Sequence, residues 1–418
     1  MILTAKQVAL REYYQEVFKE WEALDNNLQN VFTPYDLCDK MIDKVCKYCE
    51  LKGKKILVTN LEFAIVLIER GIDPKDICFL TDCEQKAKFG QKMGVEIMSD
   101  DFFDFFEKVQ EKKEVRTWDA CIMNPPYQLP KNIKSGKKNG TTGGDLWSKF
   151  VKVANEIVVE GGYVCAVHPP MWRKPEQELY PMMREKNMLY LEMHSEDDGR
   201  TTFKASTKYD WYLLQNNAYN GKTTIVDEMG EKHVFDLRDY RWLPCFGFDV
   251  ISKILAQGKD KTCEVLYSRS EYGTDKAWMS DKTCEVLFSY SEYETRKPWM
   301  SDKENGEFKH PCVYSMTKDG FRCWYSSIKK DFAFGVPKVI LGWGRYLYPL
   351  IDMEGKYGLT QNTFAIKVDS KKEAENIKRA IESDKFGKVL KATKWGAFQT
   401  EWRMFKYFRK DFWKEFIA

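Results

Sequence analysis

No apolar run in the 418 residues approaches the 18 or so that a membrane-spanning helix needs, and Met1 to Lys19 is charged throughout. Neither a membrane span nor a secretory leader is expected, so the chain reads as intracellular and cytoplasmic. A dominant charge is missing too: 66 basic residues face 63 acidic ones, a net of +3. Any polyanion must then be met by local clusters rather than by a global polycation. The stretch from Ser370 to Ala418 is one such cluster, with 13 Lys and Arg against 7 Asp and Glu, although a solvated helical face accounts for it equally well. Cysteine is present 12 times, but Cys46 and Cys49 form the only close Cys-x-x-Cys, with no second pair at zinc-ligand spacing. Reduced thiols and no metal site are expected.

What is present suits a soluble globular chain long enough for two domains, with 43% hydrophobic and 31% charged residues. Aromatics reach 15%, which serves core packing or base stacking. Ala5 to Leu28 predicts an amphipathic helix. Thr33 can cap, and Pro34 can open, a second helix running to about Glu50. Strands are predicted at 55–59, 77–81, 95–98, 118–123 and 163–167. Helices lie between them, at 61–70, up to Met93 and at 145–159, with Gly161-Gly162 as the turn before the last strand. Short apolar strands alternating with helices imply an α/β fold, a doubly wound, mainly parallel sheet that binds ligands at its strands' carboxyl ends. Beyond about Asn220 the pattern turns irregular, giving expected domains at 1–220 and 221–418. Within the second, Asp260 to Tyr267 recurs as Asp281 to Phe288, and the match extends to Trp299-Met300-Ser301. This is a tandem duplication of period 21 over 260–301, too short for a solenoid. An extended hairpin, or an enlarged loop against nucleic acid, accounts for it.

The sharpest chemical signal is Asn124-Pro125-Pro126-Tyr127, which follows an apolar strand. An exocyclic amine on a nucleobase is a poor nucleophile because its lone pair is delocalised into the ring. The Asn124 side-chain oxygen and the Pro125 carbonyl supply acceptors for its two hydrogens. Pro125 and Pro126 stiffen the loop. Tyr127 can stack on a base swung out of the duplex.

This segment resembles the amino-methyltransferases of DNA. The order of motifs is similar to their γ class, which includes adenine-N6 enzymes, and to Eco57I-type restriction-modification methylases. The resemblance covers about half the chain. It implies a Rossmann-like methyltransferase domain using S-adenosylmethionine, a C-terminal α+β target-recognition domain, double-stranded DNA as substrate and a prokaryotic or viral origin. It implies roles residue by residue. Val31-Phe32-Thr33-Pro34 would help cover the cofactor's methionine. Asp82 would bind the ribose hydroxyls. Asp101 would accept from the adenine amine, with Asp100 as the competing choice, and Phe102 would pack on the ring. Phe203 and Tyr209 are candidates for a second stacking aromatic. Lys131, Lys134, Lys137 and Lys138 form a basic loop suited to phosphates, or a solvated surface loop. Arg345, Gln361 and Asn362 suit base edges, and suit turns equally.

The chain departs from the family after the first strand. There a glycine-rich turn lets backbone approach the cofactor, but Thr59-Asn60-Leu61-Glu62-Phe63-Ala64 has no glycine. Asn60 can tolerate a tight turn, and Glu62 can replace the missing acid towards the methionine amine. The departure also leaves open a non-catalytic DNA-binding or subunit-assembly homologue. Cytosine N4, RNA and protein glutamine remain alternative methyl acceptors. A fused nuclease is not expected before Phe32, since so short a segment is below domain size; a separate restriction endonuclease is the compatible partner.

Overall fold

The computed structural model describes residues 3–24, 31–98, 105, 109, 117–127, 146–267, 293–329, 333–344, 346–396 and 400–417. The chain divides into two compact units, Met1–Arg173 with Gln177–Arg241, and Lys174–Glu176 with Trp242–Ala418.

The first unit is built on nine strands. They are β1 (Ile56–Val58), β2 (Ile77–Leu80), β3 (Glu96–Met98), β4 (Trp118–Met123), β5 (Val158–His168), β6 (Lys186–His194), β7 (Tyr209–Ala218), β8 (Thr223–Val226) and β9 (Lys232–Phe235). Their order is β3-β2-β1-β4-β5-β7-β6-β8-β9. The run from β3 to β5 is parallel, while β7 enters antiparallel between β5 and β6. The central strands are continuous apolar runs because both faces are covered. Ile56, Val58, Ile77, Phe79, Ala120, Ile122, Cys165 and Val167 share one buried core with helices α1 (Ala5–Leu24), α2 (Tyr35–Cys46) and α3 (Leu61–Glu69). The alternate residues Leu57, Cys78, Leu80, Cys121, Met123, Val164 and Ala166 are buried as well. Helix α4 (Glu84–Lys92) links β2 to β3, α5 (Leu146–Ile157) packs beside β5, and the short α6 (Leu179–Arg184) leads into β6. The chain steps outward from β1 to β3 and returns to β4 on the other side of β1. That reversal between β1 and β4 is where an open α/β sheet forms its ligand crevice.

Several sequence expectations change. The boundary falls between Arg241 and Trp242 rather than at 220, because β8 and β9 extend the large sheet. Strand β5 begins at Val158 and runs through Gly161-Gly162 instead of starting after them, and the register with β4 shifts between Trp118 and Ala120. Glycine is needed there: Gly161 has φ +79°, and a Cβ on Gly162 would lie 2.6 Å from the Asp119 carbonyl oxygen. Pro34, not Thr33, precedes α2 as its cap residue, and the Leu37 and Cys38 amides donate to the Pro34 carbonyl.

The second unit combines two four-stranded sheets with helices. β10 (Val265–Tyr267), β17 (Thr363–Lys367), β14 (Lys338–Gly342) and β15 (Leu350–Asp352) form one sheet. β11 (Met300–Ser301), β13 (Gly320–Ser326), β12 (His310–Thr317) and β16 (Gly358–Leu359) form the other. Phe364, Phe386, Phe405, Phe408, Phe412 and Phe416 build an aromatic cluster. The middle of the tandem duplication, 268–292, lies outside the described residues.

One buried ion pair ties β7 to the segment after β5. Arg173 and Asp210 are both fully buried, and Arg173 Nε and Nη2 donate to the carboxylate at 2.7 and 2.9 Å. The Trp172 indole donates to the same carboxylate at 2.8 Å. Removing one member strands a buried charge. Asp210→Ala should therefore lose about 3–5 kcal/mol of unfolding free energy in urea; a loss below about 1 kcal/mol would contradict this role.

Candidate active site at the strand ends

Parallel register brings the motifs together. Val58 pairs with Ile122, so the residues two further on, Asn60 and Asn124, face each other across the β1–β4 switch point. The Asn124 amide donates to Asn60 Oδ1 at 3.2 Å, and the Thr59 hydroxyl donates to the same oxygen at 2.7 Å. Asn124 Nδ2 donates to Thr33 Oγ1 at 3.0 Å. The Thr33 amide in turn donates to Glu62 Oε1 at 2.9 Å. Thr33, Asn60, Glu62 and Asn124 are all buried, at 0, 4, 1 and 2% exposure.

This network engages the Asn124 backbone amide and Nδ2 but not the side-chain oxygen. Asn124 Oδ1 is buried and has no hydrogen-bond partner among the described residues. Leaving a buried acceptor unmade costs about 1–3 kcal/mol, so such an atom calls for an explanation. Pro125 and Pro126 beside it are buried, and the Tyr127 carbonyl accepts the amide of Leu146 at the start of α5.

One expectation about the first turn is corrected. Asn60 has extended backbone, φ −139° and ψ 136°, so no left-handed turn is made there; its side chain brackets β4 instead. Glu62, two residues on, is buried. Burial raises its pKa, while Lys86 and the amides of Glu62 and Thr33 pull it back. Lys86, itself 2% exposed, is a buried cation that sequence reasoning passes over. Its signal is positional, since Lys86, Ala87 and Gly90 share the buried side of α4. Tyr14 Oη, buried and without a hydrogen-bond partner among the described residues, is another omission.

Asp82 is exposed just beyond β2, the strand beside β1. A carboxylate there suits a vicinal diol, which offers two donors. Asp100, Asp101, Phe102, Lys131, Lys134, Lys137, Lys138 and Arg345 lie outside the described residues. Gln361 spends both ends of its amide on Thr295.

Aromatics collect at the same edge of the sheet. Phe203 ends α7 (Glu196–Phe203) and meets the Tyr209 ring edge-on at 5.0 Å. His194 stacks on Tyr209 at 4.3 Å and 9°. The Tyr127 hydroxyl is pushed well above its usual range by burial and by neighbouring Tyr209. Tyr209 thus belongs with Tyr127, and His194 joins them without any signal in the sequence.

Residues 19–193 match the family model of the Eco57I restriction-modification methylases. Solved structures similar to the chain include a modification subunit assigned to a type I restriction enzyme of Vibrio vulnificus YJ016, at 11% identity and TM-score 0.42, covering 54% of this chain and 53% of that one. The type I restriction-modification methyltransferase subunit from Streptococcus thermophilus is similar at 12% identity and TM-score 0.35, covering 55% and 49%. The type IIG restriction endonuclease BpuSI is similar at 11% identity and TM-score 0.40, covering 92% and 60%. The chain thus spans about half the length of the Vibrio protein. No curated protein matches it in sequence.

His168, at the end of β5, gives the region a pH dependence. It is fully buried, stacked on Trp147 at 4.5 Å, and burial lowers its pKa to about 4. A histidine held neutral contributes stability above its unfolded pKa near 6.5 and loses it as pH falls towards 4. Urea unfolding should show about 3 kcal/mol of loss between roughly pH 7 and pH 4, with the slope flattened by His168→Gln. An unchanged slope in that variant would contradict the assignment.

Proposed function

We propose that the chain is a site-specific DNA methyltransferase that transfers a methyl group from S-adenosylmethionine to adenine N6 of a base swung out of duplex DNA. The observation that carries this reading is the buried Asn124 Oδ1 at the switch point of the sheet, without a hydrogen-bond partner among the described residues. The match of residues 19–193 to a methylase family supports it. When bound, the cofactor supplies an electrophilic sulfonium methyl. Asp82 would hold its ribose hydroxyls, and the Phe32-Thr33-Pro34 segment would cover its methionine end. Asn124 Oδ1 and the Pro125 carbonyl would accept the two amine hydrogens, orienting the nitrogen lone pair at the methyl. Tyr127, with Phe203 and Tyr209 beside it, would hold the base plane. Asp101 and Phe102 would complete the base and cofactor contacts. Lys134 and Lys137 would meet phosphates, and Arg345 would contact target bases from the second unit. A separate restriction endonuclease is the partner this reading implies.

One observation favours a second reading, a non-catalytic DNA-binding homologue. The turn after β1 has no glycine, and its one acid, Glu62, already accepts the Thr33 amide.

Incubation with tritiated cofactor and mixed-sequence duplex, followed by nucleoside analysis, separates the readings. Label in N6-methyladenine is expected; label only in N4-methylcytosine, RNA or protein would move the acceptor, and no label would favour the second reading. Asn124→Ala should lower transfer at least about 100-fold while leaving DNA affinity in place. Retained activity in that variant would remove Asn124 from the reaction. Asp82→Ala should weaken cofactor binding by about 10-fold or more, read by calorimetry; an unchanged Kd would take Asp82 out of the ribose site.

A further inference from the structure

Asn124 can serve as an acceptor only if its amide is held the right way round. A free carboxamide flips between orientations that exchange oxygen for nitrogen. In this chain Nδ2 donates to Thr33 Oγ1, which ties the carboxamide to the segment before α2. Thr33 is in turn held by Glu62, whose Oε1 accepts the Thr33 amide at 2.9 Å. Glu62 sits in the first turn of α3, two residues after Asn60, so the same short turn grips Asn124 through both its backbone amide and its side chain. The carboxylate is buried, and Lys86 offsets its charge.

We propose that Glu62 is a positioning residue for Asn124: by fixing Thr33 it holds the carboxamide in the place from which Oδ1 meets the substrate amine. The proposal rests on the methyltransferase reading for its consequence, but the positioning is a property of the chain alone. It replaces the expectation that Glu62 contacts the cofactor's methionine amine. The glycine-free turn is then an alternative construction, in which a buried carboxylate stabilises the catalytic loop from behind.

Four variants of the full chain test this, with two readouts. Glu62→Gln keeps an acceptor for the Thr33 amide. Glu62→Met combined with Lys86→Met removes acceptor and buried charge together, so no lone cation is stranded. Thr33→Val removes the hydroxyl, and Thr33→Ser restores it. The first readout is exchange of the Asn124 side-chain amide hydrogens by nitrogen-15 NMR, with the signal identified by its loss in Asn124→Ala. Protection should fall at least about tenfold in the Glu62–Lys86 double variant and in Thr33→Val, and recover in Glu62→Gln and Thr33→Ser. The second is the single-turnover transfer rate at saturating cofactor, which should fall about 10–100-fold in the Glu62–Lys86 double variant and in Thr33→Val, while cofactor Kd in the double variant holds within about threefold. Unchanged amide protection in both disruptive variants would overturn the proposal. So would a tenfold weaker cofactor Kd in Glu62→Gln with its saturated rate intact, which is the outcome of direct contact with the methionine amine. If the wild-type chain transfers no methyl, the methyltransferase reading falls, and the amide measurement still decides the positioning.

Discussion

The Asn124 carboxamide is held on one side and left open on the other, and the rest of the site is arranged around that asymmetry. Its nitrogen is taken by Thr33, its backbone amide by Asn60, and its oxygen by nothing among the described residues. An unmade bond in a buried place is unfavourable unless a ligand completes it. The surrounding fold stabilises this arrangement. Strands β1 and β4 set Asn60 and Asn124 level, Pro125 and Pro126 stiffen the loop beyond them, and the buried Arg173–Asp210 pair anchors β7 alongside. A local deficit at the switch point of the sheet fits the ligand site proposed there.

Much of the first unit is legible in the sequence. The five strands leading into the sheet follow from apolar runs of four to six residues bounded by turns, and Asn124-Pro125-Pro126-Tyr127 comes directly after the fourth. The structure sharpens features that depend on distant pairing. Thr33 reads as a helix cap because threonine before proline is a common start signal, yet its hydroxyl is taken by a residue 91 positions away. Gly161-Gly162 reads as a turn because glycine pairs often are; here they let β5 pass close to Asp119. The domain boundary shifts because β8 and β9 are short and polar on one side, and only their pairing with β6 and with each other reveals them as part of the large sheet. Lys86 and Tyr14 escape notice because single buried polar residues on helices carry no pattern of their own.

The tail's basic excess also resolves into parts. Arg403 and Lys406 pair with Glu176, Lys410 with Asp369, and Lys414 with Asp411. Those cations are largely spent inside their own unit. Lys385, Lys388 and Lys391, by contrast, are exposed along the helix at Asp384–Ala392 while Phe386, Val389 and Leu390 face inward. The solvated helical face expected as one reading thus holds along the helix at Asp384–Ala392, while other cations of the segment are held by internal pairs that composition alone does not show.

The function proposed for this chain turns on whether the crevice between β1 and β4 accepts S-adenosylmethionine despite its glycine-free turn. Isothermal titration of the full chain with the cofactor, alone and with duplex DNA present, tests this most directly. Saturable one-to-one binding is expected, with a Kd in the range of about 1 μM to 1 mM. Absence of binding under both conditions would contradict the proposed function, and would leave the open oxygen of Asn124 without a methyl donor to serve.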